Sequence, residues 1–211
     1  VNDKQKRKYM ISKSKIRSID SSLAIEAYNH INEYNYKNKN DLLKLHELMM
    51  KYFDEDNGNY RNNGEGVKRK DEIIYMASES ILVSSLMKSL FEYISSSDLN
   101  IIILSAIFHY CFVFIHPFSV GNGRCARFWV ALMLINYNEN FEFIPLEEEI
   151  YINQENYYLA IAECHNNGNA NVFIKFILQT INSSLDKLIK NSNFVCNDIQ
   201  NKIIELIANT K

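Results

Sequence analysis

Between Leu99 and Ile115 the chain carries apolar side chains almost all round a helical projection, interrupted by Ser105, His109 and Tyr110. A helix apolar on every side cannot rest on a protein surface and has to be enclosed by other elements. The stretch falls short of the ~18 to 20 uninterrupted apolar residues of a membrane span. It therefore predicts a buried central helix over Asp98–Ile115, around which the rest must pack. With 6 Gly and 2 Pro in 211 residues, and 47% hydrophobic residues, long helices are expected to supply that cover. The expected fold class is all-α, in a single domain over 1–211 without internal repeat or linker.

Helical periodicity recurs on both sides of the central segment. Ile19–Tyr34 has Asp20, Ser21 and Ser22 as cap candidates, and Asp41–Asp54 places Leu42, Leu45, Leu48, Met49 and Phe53 at helical spacing. Periodicity then gives way to Asp56-Asn57-Gly58-Asn59 and Asn62-Asn63-Gly64-Glu65-Gly66, with Val67–Tyr75 expected as an extended strand ending a β-hairpin. Further helices are predicted at Ser80–Ser95, Arg124–Tyr137, Asn153–Asn166, Asn171–Lys190 and Asn197–Ala208, with the region around Pro145 read as a loop.

The central helix delivers a compact run, His116-Pro117-Phe118-Ser119-Val120-Gly121-Asn122-Gly123-Arg124-Cys125-Ala126-Arg127. Its parts suit the handling of a phosphate. Gly121 and Gly123 let the backbone turn sharply and bring N–H groups close to an anion, and the helix after them points its positive end the same way. Arg124 and Arg127 stand three apart, on neighbouring positions of the first turn, where each guanidinium can donate to phosphate oxygens. His116 supplies an imidazole suited to taking a hydroxyl proton.

This run resembles the signature of Fic domains, His-Pro-Phe-x-[Asp/Glu]-Gly-Asn-Gly-Arg-x-x-Arg, at every defined position except Val120. The resemblance implies a Fic-type helical bundle with a short β-hairpin flap. It also implies a protein adenylyltransferase that moves AMP from ATP to a Ser, Thr or Tyr hydroxyl of a protein, itself included. On that pattern His116 is the catalytic base; Gly121, Asn122 and Gly123 hold the α-phosphate; Arg124 and Arg127 neutralise the β- and γ-phosphates. The family's acid helps hold Mg²⁺, and valine has no oxygen ligand to offer. Metal binding by Mg²⁺ or Mn²⁺ is thus expected to be weakened, with none from Val120 and an indirect share for Asn122. A catalytically weak or silent nucleotide-binding module stays open beside the enzyme, as do other transferred groups.

Two further stretches carry the resemblance. Gly58-Asn59-Tyr60-Arg61, with Val67 and Ile73-Ile74-Tyr75, is similar to the family's flap, here 58–76, which binds the protein substrate by strand addition. Ser22-Leu23-Ala24-Ile25-Glu26 in the N-terminal segment 1–35 resembles the inhibitory pattern [Ser/Thr]-x-x-x-Glu-[Gly/Asn], with Ala27 departing from it. It implies that Glu26, with Ser22 one turn before it, pairs with Arg127. The motif helices then occupy 98–137 and the C-terminal helices 170–211.

A formal net charge of −2 without a dominant basic stripe argues against nucleic acid as the partner. The helix bearing Arg124 and Arg127 continues into Phe128, Trp129, Val130 and Leu132, a core face and not a recognition face. No membrane partner is expected; self-association is left open. Cys111, Cys125, Cys164 and Cys196 form no C-x-x-C pair, and they read as reduced thiols of a cytoplasmic protein.

Overall fold

In the computed structural model, residues 15–192 are described except 65, 70 and 71, with side chains described over 22–64 and 76–188. The elements run α1 (Lys15–Asn29), a 3-10 turn (Ile31–Glu33), α2 (Lys39–Met50), β1 (Gly66–Arg69), β2 (Glu72–Met76), α3 (Ser80–Ser96), α4 (Ile101–Ile115), α5 (Asn122–Tyr137), a second 3-10 turn (Glu139–Phe143), α6 (Leu146–Ile152), α7 (Gln154–Asn167) and α8 (Asn171–Ser192). The chain is all-α apart from the hairpin.

Helix α4 explains its own composition. Asn100 caps it by accepting from the Ile102 N–H at 2.9 Å, so the helix starts after Asp98 and not at it. One stripe, Leu104, Phe108, Phe112 and Ile115, enters a core shared with α1, α2, α3 and α5. The opposite stripe, Ile102, Ala106, Tyr110 and Val113, enters a second core shared with α5 to α8. Helix α5 runs beside α4 and also serves both cores, with Trp129 and Phe128 in the first and Val130 and Leu134 in the second. Large aromatic side chains fill the first core: Trp129 stacks near Phe108 at 6.1 Å between ring centroids, and Phe91 meets both edge-on.

Four expectations are revised. The region around Pro145 is not a plain loop: Pro145 precedes α6, whose first turn holds Glu147, Glu148 and Glu149. Acidic side chains there favour the positive helix end, and Pro suits a helix start, so the signal was present in the sequence. Both strands of the hairpin fall within 66–76, antiparallel, with Gly66 opposite Met76 and an irregularity between Val67 and Lys68. Helix α1 stops at Asn29, and α2 starts at Lys39 behind Asn38, whose side chain accepts from the Asn40 N–H. The helix expected at Asn197–Ala208, and Cys196, lie outside the described residues. Cys111, Cys125 and Cys164 are free thiols.

His109 lies fully buried in the second half of α4, with Nε2 hydrogen-bonded to the Tyr157 hydroxyl at 3.1 Å. Burial pushes its pKa down to about 3, with Arg127 acting in the same direction. The fold therefore holds a neutral imidazole whose unfolded counterpart titrates near 6.5. Its contribution is complete above that value and lost progressively as pH falls toward the folded value, because the unfolded state then binds the extra proton. Urea unfolding should show stability falling by about 1.4 kcal/mol per pH unit from this group between pH 6 and about pH 4. His109→Gln should remove that part of the slope.

Candidate functional site

The site forms where α4 hands over to α5. Helix α4 ends on His116, which adopts the left-handed conformation at φ 53° while its N–H closes the helix on Phe112. Few residues other than glycine accept this backbone without strain, so the surroundings must hold it. Arg61 does so. Its Nε donates to the His116 carbonyl at 2.6 Å, Nη2 to the Ile115 and Ser78 carbonyls, and Nη1 to Asn63, while its backbone N–H donates to the Pro117 carbonyl at 2.9 Å. One buried guanidinium thus ties the helix end to both sides of the hairpin's base.

The loop beyond His116 is held from below. Phe118 is fully buried and stacks on His46 of α2, ring centroids 3.7 Å apart. The Gly58 N–H donates to His46 Nδ1 at 2.9 Å, which leaves the proton on Nε2 to donate to the Val120 carbonyl at 3.0 Å. Burial lowers the pKa of His46 and so preserves this neutral tautomer. The Asn122 side chain clasps Phe118 through both ends of its amide, accepting from the Phe118 N–H and donating to its carbonyl. That is a loop-closing role; its side chain was expected on the phosphate or metal.

Gly121 precedes α5 at φ 83°, and a methyl group there would meet Met50 Sδ at 2.6 Å. Both conformation and space demand glycine. The opening N–H groups of α5 have no capping side chain, leaving an electropositive helix end beside His116. Burial pushes the His116 pKa down to about 4, and the Arg61 guanidinium acts in the same direction. At neutral pH the imidazole is unprotonated and able to accept a proton.

The two arginines diverge from the first turn of α5. Arg124 lies over the Phe53 ring, 5.9 Å from its centroid. Arg127 donates through Nε to Glu147 Oε2 at 2.5 Å, and Tyr28 donates to the other oxygen of the same carboxylate at 3.1 Å. The carboxylate on Arg127 is therefore Glu147, where Glu26 was expected. The phase of α1 accounts for the difference. Leu23, Ala24 and Ala27 form its buried face, which turns Ser22 and Glu26 to solvent.

The residues present do not fit a metal held by the protein. Val120 is 41% exposed with no side-chain oxygen, its carbonyl serves His46, and the Asn122 amide serves Phe118. Among the described residues no group of three His, Cys, Asp or Glu could hold an ion.

Sequence reasoning located His116 and the glycine turn, which lie at the junction of α4 and α5, and both arginines, which lie in the opening turns of α5. It missed His46, the clamping role of Arg61, and Glu147. A lone histidine among the apolar positions Leu42, Leu45, Met49 and Met50 was the available sign for His46.

The junction of two core helices thus carries an unprotonated imidazole at one helix end and an uncapped start at the next, within an all-helical fold. Residues 36–134 match the Fic/DOC family, and the whole described fold superposes on a Fic family protein from Desulfovibrio desulfuricans, with a TM-score of 0.83 and 27% identity over 93% of this chain and 62% of that one. The chain carries a Fic/DOC family domain over residues 36–134. Fic-1 from C. elegans shares the fold, with a TM-score of 0.68 and 21% identity over 92% of this chain and 59% of that one. Protein adenylyltransferase Fic from Drosophila yakuba is 32% identical over 91 residues, 43% of this chain and 17% of that protein. The same protein from Drosophila melanogaster is 31% identical over the same shares. The chain thus spans about a sixth of the length of these curated relatives.

Replacing Gly121 by alanine should destabilise the protein by about 2–3 kcal/mol in denaturant unfolding, from left-handed strain plus the clash with Met50.

Proposed function

We propose that this chain is a protein adenylyltransferase, transferring AMP from ATP to a hydroxyl of a protein target or of itself. The observation that carries the reading is a neutral imidazole, His116, fixed beside the uncapped start of α5. In the reaction a target hydroxyl oxygen attacks the α-phosphorus. The new O–P bond forms as the bond to the α–β bridging oxygen breaks, the hydroxyl proton passes to His116, and pyrophosphate leaves. The amides of the Gly121–Gly123 turn face the α-phosphate, while Arg124 and Arg127 offset charge on the departing pyrophosphate. Such chemistry depends mainly on positioning and charge stabilisation, so removing the base should cost about 10²- to 10⁴-fold.

Among the described residues the hairpin of β1 and β2 pairs with no third strand, which suits it to register an extended target segment by strand addition. Proteins are accordingly the partners in this reading. Mg²⁺ or Mn²⁺ gains no ligand from residue 120.

Incubation with ATP labelled at the α-phosphate, read by intact mass, tests the proposal. Label of one AMP on the protein, lost in His116→Ala, is the expected result. The pH–rate profile should be flat through neutrality with its acid limb near pH 4, and not near 6.5. A second reading, a nucleotide-binding module with little turnover, is favoured by the side chain of Val120. It predicts ATP binding without label in the wild type, and label once Val120→Asp restores an acid at that position.

The regulatory part is separable. The reach of Tyr28 from α1 to the carboxylate partner of Arg127 supports an N-terminal restraint on the site. Glu26→Gly should then raise self-modification; an unchanged rate would remove Glu26 from the mechanism without touching His116.

A further inference from the structure

The contact between α5 and α6 assigns a role to a residue outside the family signature. Among the described residues Arg127 is held through Nε alone, by Glu147, so its two terminal nitrogens are left to other partners. Nη1 lies over the opening of α5: a methyl group on Gly123 would sit 3.0 Å from it. The carboxylate that fixes this pose is itself fixed at two points, by Arg127 on Oε2 and by the Tyr28 hydroxyl on Oε1. Its helix is anchored in turn, because Glu149, two residues on and buried, is paired with Lys187 of α8. The pair is largely withdrawn from water, the Arg127 side chain being 23% exposed and that of Glu147 28%.

We propose that Glu147 is a positioning residue for Arg127, aiming the free edge of its guanidinium across the Gly121–Gly123 turn to receive the terminal phosphates of a nucleoside triphosphate. The inference rests on the nucleotide-transfer reading above. A free arginine loses much of its rotamer freedom on binding a phosphate. A carboxylate on Nε removes that cost in advance without occupying the phosphate-facing edge. Tyr28 makes the aim depend on α1, so the N-terminal helix communicates with the site through this hydroxyl. A carboxylate competing with phosphate for Arg127 would have the opposite effect on affinity, which makes the two roles separable by sign.

Calorimetric titration with ATP and with AMP, on wild type, Glu147→Ala, Glu147→Gln, Tyr28→Phe and Arg127→Ala, decides it. Glu147→Ala should weaken ATP about tenfold and leave AMP unchanged. Glu147→Gln, which keeps an acceptor for Nε, should recover part of the loss, and Tyr28→Phe should show a smaller loss in the same direction. Unchanged or tighter ATP binding in Glu147→Ala would overturn the proposal, and so would parallel weakening of ATP and AMP, the mark of a merely structural role. Should Glu147→Ala fail to fold, Glu147→Gln and Tyr28→Phe carry the same comparison, and equal effects on both nucleotides in these two overturn it. Arg127→Ala is the separate control. If it leaves the ATP to AMP ratio unchanged, the transfer reading loses its arginine; if it alone changes the ratio, only the role of Glu147 falls.

Discussion

Helix α4 has no side to give to solvent over most of its length, and the remaining architecture answers that constraint. Enclosing it takes two separate cores, one closed by the helices before it and one by the helices after it. Helix α5 can serve both only by running closely alongside, so the connection between α4 and α5 must be short and must reverse direction sharply. The left-handed residue at 116 and the left-handed glycine at 121 are the two bends of that reversal. The site is thus a by-product of packing: the reversal leaves an imidazole at one helix end and bare amides at the start of the next.

A reversal of this kind is strained and polar, and it sits against a hydrophobic interior. Its polar groups are satisfied by side chains brought from a distance. The Arg61 guanidinium takes four of the surrounding carbonyls, two at the end of α4 and two at the base of the hairpin, His46 takes the Val120 carbonyl from α2, and Asn122 closes the loop on itself. Each buried donor or acceptor so matched avoids a penalty of about 1–3 kcal/mol. The loop is consequently rigid without secondary structure of its own, the condition under which a base and a set of donors can be prearranged.

What could be read in the sequence divides along the range of the interactions. Periodicity acts over a few residues, and it located α3, α4, α5, α7 and α8 closely, missing only the later start of α4 behind Asn100. The signature run did the same for His116, Gly121, Gly123, Arg124 and Arg127. The contacts of His46 with Val120, of Arg61 with His116 and of Arg127 with Glu147 span 74, 55 and 20 residues, and no local pattern encodes a partner at that distance. Helix α6 is the exception that local signals did reveal, through Pro145 and three glutamates, and were outweighed by the reading of proline as a breaker. The phase of α1 failed for another reason: Ser22 and Glu26 do share a face, but a spacing rule cannot say which face is turned inward.

The anchoring of the loop through the carbonyl of Val120 has an evolutionary corollary. Main-chain atoms are common to all residues, so the bond from His46 survives any replacement of the side chain at position 120. That side chain is 41% exposed and fills no cavity. Chemistry and architecture are therefore uncoupled at this one position. A lineage could gain or lose an acid there, retuning its dependence on divalent ions, without first acquiring compensating changes in the core.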